Sequence, residues 1–155
     1  MRTILPAEAE AQHGVAAVHH EMDNGELRFR LRSADGPAYA LTRAGPKGAW
    51  QQSHFHQSAR ETYIVERGWI AFASRSGEQM KIEVFAAGEL FTTPPGVIHT
   101  IYMPANAVMH TIKHGASAAD DRSTGPQTAV LDAFVAALVD EDAIRAAAGR
   151  KPAEG

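Results

Sequence analysis

One stretch, from Gly48 to Gly68, constrains this chain more than any other part of the sequence. It places His54, His56 and Glu61 close together. Side chains two residues apart on a β-strand project from the same face, so we expect the two imidazoles to lie side by side. Glu61 follows a short polar turn and precedes a second apolar strand. Two imidazoles and a carboxylate from adjacent strands suit a divalent transition metal.

A second stretch, from Gly88 to Thr100, supplies a fourth candidate ligand. A Pro-Pro-Gly turn at residues 94–96 delivers His99 to the start of another apolar strand. We therefore expect one divalent metal ion to be bound by His54, His56, Glu61 and His99.

The two stretches resemble the two conserved motifs of the cupin superfamily. The first reads Gly-x5-His-x-His-x4-Glu-x6-Gly, and the second reads Gly-x5-Pro-x-Gly-x2-His. The family pattern continues to an Asn where this chain has Met103. The resemblance implies a small, single-domain metal-binding cupin with an all-β fold, an antiparallel double-stranded β-helix or jelly-roll barrel. It also implies a homodimer that takes a small-molecule substrate.

The pattern of apolar residues divides the chain into three regions. Short apolar runs bounded by turn residues follow one another from Glu26 to His114, which is typical of a sandwich or barrel. Beyond Pro126 the spacing changes to three and four, which predicts an amphipathic helix and then a short second helix capped by Asp140 and ended by Gly149. We expect an N-terminal extension over 1–25, a barrel over 26–115, and a loop with C-terminal helices, packed on the barrel or a partner, over 116–155.

The strand expected between Glu26 and Ser33 alternates between two kinds of side chain. One face carries Leu27, Phe29 and Leu31, and the other carries Arg28, Arg30 and Arg32. This period of two predicts a half-buried strand. The arginines could bind an acidic substrate, but we favour a solvated outer face or the rim of a dimer.

Strand parity predicts which other side chains face the barrel interior. Counting by two from Glu61 and from His99 places four of them inward: Tyr63, Val65, Ile101 and Met103. On the last strand, one of two alternative sets of side chains faces inward: His110, Ile112 and His114, or Met109, Thr111 and Lys113. The candidate catalytic residues for proton transfer are Tyr63, Tyr102 and His110.

The candidate ligand set favours a metal-dependent enzyme. Four protein ligands leave an octahedral ion two adjacent positions for substrate or water, and iron, manganese, nickel, cobalt and zinc all suit the set. The resemblance to cupins implies a dioxygenase- or isomerase-type reaction on a small oxygenated substrate chelated to the metal, and we expect it to pass through an enolate or related oxyanion. Two alternatives stay open: a non-catalytic small-molecule or sugar-binding module, and a nucleotide-sugar isomerase or epimerase.

The composition limits the classes of binding partner that we expect. A net charge of −3 over 155 residues does not favour nucleic acid or an anionic membrane. The chain has no cysteine, which excludes disulfides and thiolate metal sites. The sequence contains neither a signal-peptide pattern nor an apolar run of membrane-spanning length, so we expect a cytoplasmic protein without a membrane partner.

Overall fold

A computed structural model describes residues 1–115, 121–138 and 140–149. The helices in these ranges are α1 (Pro6–His13), α2 (Pro126–Ala136) and α3 (Glu141–Ala148). The strands in the first part of the chain are β1 (Val15–Glu21), β2 (Leu27–Ser33), β3 (Ala38–Arg43), β4 (Ala49–Trp50), β5 (Phe55–His56) and β6 (Arg60–Arg67). They continue with β7 (Trp69–Ser76), β8 (Gln79–Ala86), β9 (Leu90–Thr93), β10 (Ile98–Met103), β11 (Val108–His114) and β12 (Arg122–Ser123).

The strands form two main antiparallel sheets. The larger has the order β1-β2-β3-β11-β6-β9, and the smaller has the order β4-β10-β7-β8. A further pair, β12 and β5, brings Arg122 opposite His56. The inner faces of the two main sheets meet in one apolar cluster that includes Tyr63 and Val65 from β6 with Phe72 and Ile101 from the smaller sheet. The predicted all-β jelly-roll barrel is confirmed.

The C-terminal helices cover the outer face of the smaller sheet. Leu131, Val135 and Ile144 are buried in a second cluster with strand residues such as Ala73 and Tyr102. As predicted, α2 begins at Pro126, and the Asp140 side chain caps α3 by accepting a hydrogen bond from the Ala143 amide at 2.7 Å. No helix in the described part of the chain is long and apolar enough to cross a membrane.

Two glycines of the first motif lie at positions where a side chain would be strained or would clash. Gly68 has a φ of 79° at the corner where the chain passes from β6 in the larger sheet to β7 in the smaller one. Glycine adopts this left-handed conformation without a steric penalty. A side chain at Gly48 would collide with the Tyr102 hydroxyl. The first motif therefore holds the strands that carry the candidate ligands at close approach.

The N-terminal segment contributes a strand to the larger sheet. Residues 1–25 were expected to form an extension, yet β1 pairs with β2 along its whole length, from Val15 opposite Ser33 to Glu21 opposite Leu27. Most side chains of β1 are small or polar, so its sequence lacks the strong apolar alternation that identifies a half-buried strand.

The prediction for the two faces of β2 was wrong. Leu27, Phe29 and Leu31 are 38–49% exposed on the outer face. The arginines of β2 line the cavity inside the barrel instead. Alternation predicts that a strand has two unlike faces, but it does not predict which face turns inward when the barrel interior is itself polar.

Candidate metal centre

The four candidate ligands come from neighbouring segments of both sheets. His54 lies just before β5 and makes paired backbone hydrogen bonds with His99 at the start of β10, of 2.9 and 2.8 Å. His56 lies in β5 and Glu61 in β6. His99 thus belongs to the smaller sheet, Glu61 to the larger sheet and His56 to the separate β5–β12 pair.

The Glu61 carboxylate is the centre of the group. Its Oε2 atom lies 3.6 Å from His54 Nε2 and 3.2 Å from His99 Nε2. His56 Nε2 lies 3.2 Å from the other carboxylate oxygen, Oε1. One ligand atom from each of His54, Glu61 and His99 lies within 4.8 Å of the others. His56 lies beside the second oxygen of the Glu61 carboxylate.

Each imidazole is oriented by a hydrogen bond at its outer nitrogen. The Nδ1 atom of His54 lies 3.1 Å from the Gln52 carbonyl oxygen, and that of His99 lies 2.9 Å from the Val97 carbonyl oxygen. Because a carbonyl oxygen only accepts, both Nδ1 atoms must carry the proton. In the neutral rings the Nε2 lone pairs therefore point at Glu61, which is the arrangement of metal-binding histidines.

Asp121 orients the third imidazole. Its Oδ1 atom lies 2.7 Å from His56 Nδ1, while Oδ2 accepts hydrogen bonds from the Ser58 and Ala59 amides at 3.0 and 2.7 Å. Burial would raise the pKa of Asp121, but these hydrogen bonds outweigh it and lower the pKa. Sequence reasoning missed Asp121 because it lies sixty-five positions beyond His56. The local sequence, Asp-Asp-Arg beside a polar loop, does not show a spacing that is typical of metal ligands.

The donor set fits a divalent cation. Two atoms that bind one ion at about 2.1 Å and at a right angle lie about 3 Å apart, close to the nitrogen–oxygen distances around Glu61. His56 Nε2 is buried and has no hydrogen-bond partner among the described residues. Lone pairs that converge on a carboxylate repel one another, and a cation between them removes both the repulsion and the unpaired nitrogen.

Glu61 is held in its ionised form. Burial alone would raise the pKa of its carboxyl group, but the close Nε2 contacts of His54, His56 and His99 outweigh burial and lower the pKa. For His54 burial is the largest effect, and it lowers the pKa of the imidazole. For His56 burial also lowers the pKa, but the contact with Glu61 outweighs burial and raises the pKa. A metal ion requires an ionised carboxylate and neutral imidazoles, so its binding would release a proton held by His56.

Tyr63 is the candidate catalytic residue that lies at this centre. Its hydroxyl donates a hydrogen bond of 2.6 Å to Glu61 Oε2 and lies 3.0 Å from His99 Nε2. Burial, followed by the negative charge of Glu61, raises the pKa of the Tyr63 phenol well above its usual range. The side chain faces inward, together with Val65, Ile101 and Met103, as strand parity predicted.

The structure does not bring Tyr102 and His110 to this centre. Tyr102 lies on the opposite face of β10, where it packs against Trp50 and Trp69 beneath the helices. His110 lies on the outer face of β11 and bonds with the Tyr39 hydroxyl at 2.8 Å and with Glu66 Oε2 at 2.7 Å. Of the two registers open for β11, the one with Met109, Thr111 and Lys113 inward is found.

A cavity of about 650 Å³ lies above the ligand cluster. His54, His56, Glu61 and Tyr63 form part of its wall. The volume is within the range of small-molecule binding sites. Three of the four candidate ligands therefore face a space that can hold a substrate, and His99 is buried beside them.

Comparison with known structures identifies the fold. The oxalate decarboxylase of Bacillus subtilis superposes with a TM-score of 0.58 and 16% identity over 87% of this chain and 38% of that one. A further structure of that enzyme is described with Mn(II) centres. This chain therefore spans well under half the length of the decarboxylase.

Two smaller proteins superpose over 63% of this chain. An RmlC-like cupin from Shewanella frigidimarina has a TM-score of 0.52, 19% identity and 82% of its own length covered. The cupin domain of Drosophila melanogaster CENP-C has a TM-score of 0.51, 12% identity and 75% of its length covered. No protein-family model and no curated protein sequence matches the chain. The chain has the cupin fold, as the two sequence motifs predicted.

Replacing His54 by Ala should remove most bound metal while the barrel stays folded, because the apolar cluster between the sheets does not involve the ion. The measurement is metal content by mass spectrometry after loading with Mn(II) and desalting, with circular dichroism as the check on folding. His110→Ala is the matched control, since it removes an imidazole from the outer face of the same barrel. Equal metal content in the His54 variant and the wild type would exclude His54 as a ligand.

Replacing Asp121 by Asn should weaken metal binding by about 10- to 100-fold, the usual effect of losing a carboxylate that orients a ligating histidine. Competition of the protein with a fluorescent chelator for Mn(II) or Zn(II) measures the change. Asp142→Asn, an equal change of charge on α3, should bind as the wild type does. An unchanged affinity in the Asp121 variant would contradict the role assigned to the His56–Asp121 hydrogen bond.

Proposed function

We propose that this protein is a metal-dependent enzyme in which His54, His56, Glu61 and His99 hold one divalent transition metal. Its reaction is of the dioxygenase or isomerase type, on a small oxygenated substrate. The observation that carries the proposal is the convergence of three Nε2 atoms on one carboxylate, at a cavity of about 650 Å³ whose wall includes His54, His56 and Glu61. A closed structural site would leave no such access.

A bound divalent ion supplies Lewis acidity that stabilises negative charge on substrate oxygens. The residues of the chain supply orientation and a dry environment. Val65, Ile101 and Met109 are at most 1% exposed and pack in the apolar cluster that includes Tyr63, and Met109 also lines the cavity. Exclusion of water strengthens every electrostatic interaction at the substrate.

Tyr63 is the group placed to hold a proton beside the substrate. Its hydroxyl already donates to Glu61 Oε2, so it fixes the orientation of that carboxylate. A small shift of the substrate oxygens toward the hydroxyl would let it donate to them instead. Tyr102 and His110 have no part in this proposal, because each lies on the far side of its own strand from the cavity.

A non-catalytic binding module is the second candidate, because the cupin fold does not imply catalysis. CENP-C of Drosophila melanogaster, which has this fold, is known in a structure bound to CAL1. The nucleotide-sugar isomerase alternative is the weakest, since such a reaction needs no metal quartet.

Turnover separates the enzyme from the binding module. We expect protein loaded with Mn(II), Fe(II) or Ni(II) to convert at least one member of a panel of β-diketones, catechols and small keto acids. Oxygen uptake and product are followed in air and under nitrogen. Activity only in air indicates a dioxygenase, and activity in both indicates an isomerase or decarboxylase. Binding without turnover by every metallated form would favour the binding module.

Two tyrosine variants sharpen this assay. Tyr63→Phe should retain its metal and lose about 100-fold or more in turnover, the usual scale for a missing proton donor. Tyr39→Phe removes a hydroxyl from the outer face of the same sheet and should behave as the wild type does. Equal turnover in the Tyr63 variant would remove that residue from the mechanism.

We also propose that two copies associate through the outer face of the larger sheet. Phe29, Leu31 and Ile112 are 39–49% exposed there, and Leu90 is 62% exposed. Leu31 and Ile112 both pair with Tyr39, so they form a continuous cross-strand row. A contiguous exposed apolar face marks an association surface. A second copy presents the same apolar face, and a twofold axis pairs the two.

The expected mass in solution is about twice the chain mass of 16.7 kDa. Phe29→Lys should shift sedimentation equilibrium at micromolar concentration toward the monomer, because it places a charge in the apolar face. Val130→Lys changes an equally exposed apolar residue on α2 and should leave the mass unchanged. A monomeric wild-type protein would rule the dimer out.

A further inference from the structure

The segment that carries His54 and His56 forms little regular structure of its own. Strand β4 ends at Trp50, and β5 consists of Phe55–His56 alone. Between these two strands, His54 makes a single isolated bridge to His99. A ligand-bearing segment with so short a hydrogen-bonded ladder depends on contacts from elsewhere in the chain to fix its position.

His54 is the least tightly held of the three imidazoles. Its Nε2 atom lies 3.6 Å from the Glu61 carboxylate, against 3.2 Å for the Nε2 atoms of His56 and His99. Its side chain is 12% exposed, whereas the other two imidazoles are 3% and 1% exposed. Its outer nitrogen bonds to the Gln52 carbonyl oxygen, which belongs to the same segment. The orientation of the His54 ring therefore follows the backbone of its own segment.

Helix α2 holds this backbone through Asp132. The Oδ1 atom of Asp132 accepts a hydrogen bond of 2.9 Å from the amide of Ser53, the residue before His54. Successive amides of an extended chain point to opposite sides, so the His54 amide bonds to His99 while the Ser53 amide is directed to α2. Ser53 is 0% exposed, so its amide must find an acceptor within the protein.

Asp132 is itself fixed on the barrel. Its neighbour Leu131 is 0% exposed, and Val135, one turn farther along the helix, is 3% exposed in the same apolar cluster. Arg75 of β7 holds the start of the helix, because its Nη1 atom donates a hydrogen bond of 2.8 Å to the Gln127 carbonyl oxygen. The packed helix thus presents the Asp132 carboxylate at a defined place.

Asp121 acts on the other end of the same segment. It bonds to His56 Nδ1 and to the two amides at residues 58 and 59. Asp132 acts before His54, at the opposite end. Two carboxylates from the C-terminal part of the chain therefore hold the ligand-bearing segment from both of its ends.

We propose that Asp132 is a positioning residue for the metal centre: it holds the Ser53 amide, and thereby His54, in the place that metal binding requires. The inference rests on the proposed function, since it takes His54 as a ligand of the metal. Coupling between two equilibria is reciprocal, so a contact that strengthens metal binding is itself strengthened when the metal binds. Metal binding and the docking of α2 on the smaller sheet therefore stabilise each other.

Replacing Asp132 by Leu removes the acceptor and should weaken Mn(II) binding by about 10-fold, the lower end of the range for residues that orient a metal ligand. Asp132→Asn keeps an Oδ1 acceptor without the charge and should bind within about 2-fold of the wild type. Asp142→Leu makes the same change on α3 and should bind as the wild type does. The measurement is competition with a fluorescent chelator, at a temperature where circular dichroism shows every variant to be folded.

Metal affinity is the readout that a purely structural role would not change. Such a role of Asp132 would lower the thermal stability of the metal-free protein and leave the affinity of the folded protein as it was. Equal affinity of the Asp132→Leu variant and the wild type would therefore overturn the proposal. An equal loss in the Asp132→Asn variant would also overturn it, because the effect would then come from the charge and not from the hydrogen bond.

Hydrogen exchange of the wild-type protein tests the reverse direction. Saturating Mn(II) should slow the exchange of the α2 amides by about 10-fold, the counterpart of the expected change in affinity. Helix α1, which packs against β1, is the internal reference and should exchange at an unchanged rate. The slowing should disappear in the Asp132→Leu variant. Exchange of α2 that is the same with and without Mn(II) in the wild type would contradict the coupling.

The binding readouts separate this inference from the proposed function. Metal affinity that depends on Asp132, in a protein that turns over no substrate, supports the positioning role and counts against the enzyme. Turnover by metal-loaded protein whose Asp132→Leu variant binds Mn(II) normally overturns the positioning role and leaves the enzyme in place. A wild-type protein that binds no divalent metal removes both.

Discussion

The candidate site depends on the orientation of three imidazole rings around one carboxylate. The outer nitrogen of each ring makes one hydrogen bond. Its partner is the Gln52 carbonyl oxygen for His54, the Asp121 carboxylate for His56 and the Val97 carbonyl oxygen for His99. These hydrogen bonds fix the ring orientations, so the Nε2 atoms face Glu61 even without a bound metal ion. Such an arrangement is unfavourable in the absence of a cation, because lone pairs and a negative charge converge in a largely buried space. The fold must therefore compensate for this repulsion elsewhere, and both β-sheets contribute to holding the rings in place.

The barrel interior is divided between two environments. Val65, Ile101 and Met109 pack with Tyr63 into an apolar cluster between the two main sheets. Elsewhere the inner face of β2 lines the cavity with guanidinium groups. The outer face of that strand is apolar in consequence, which makes the same sheet a candidate surface for dimerisation. One alternating strand thus gives the cavity a polar wall and the outside of the sheet an apolar surface.

The sequence predicted the features that depend on local spacing. The positions of His54, His56, Glu61 and His99 follow from two motifs, and the inward parity of Tyr63 and Ile101 follows from counting by two along single strands. The sequence did not predict features that depend on the pairing of strands distant in the chain. Asp121 meets His56 only through the β5–β12 pair, and the outward face of His110 follows from the register of β11 against β3 and β6. The arginines of β2 were assigned to the wrong face, because alternation alone is symmetric between a polar interior and a polar exterior.

The central claim is that His54, His56, Glu61 and His99 hold one divalent ion at a position open to the cavity. The most direct measurement is an anomalous difference map from crystals of the Mn(II)-loaded protein, recorded on both sides of the manganese absorption edge. The account predicts one peak per chain, about 2.1 Å from the three Nε2 atoms and from a Glu61 oxygen, with solvent on the cavity side. A fully loaded crystal whose peak lies away from these four side chains would contradict it.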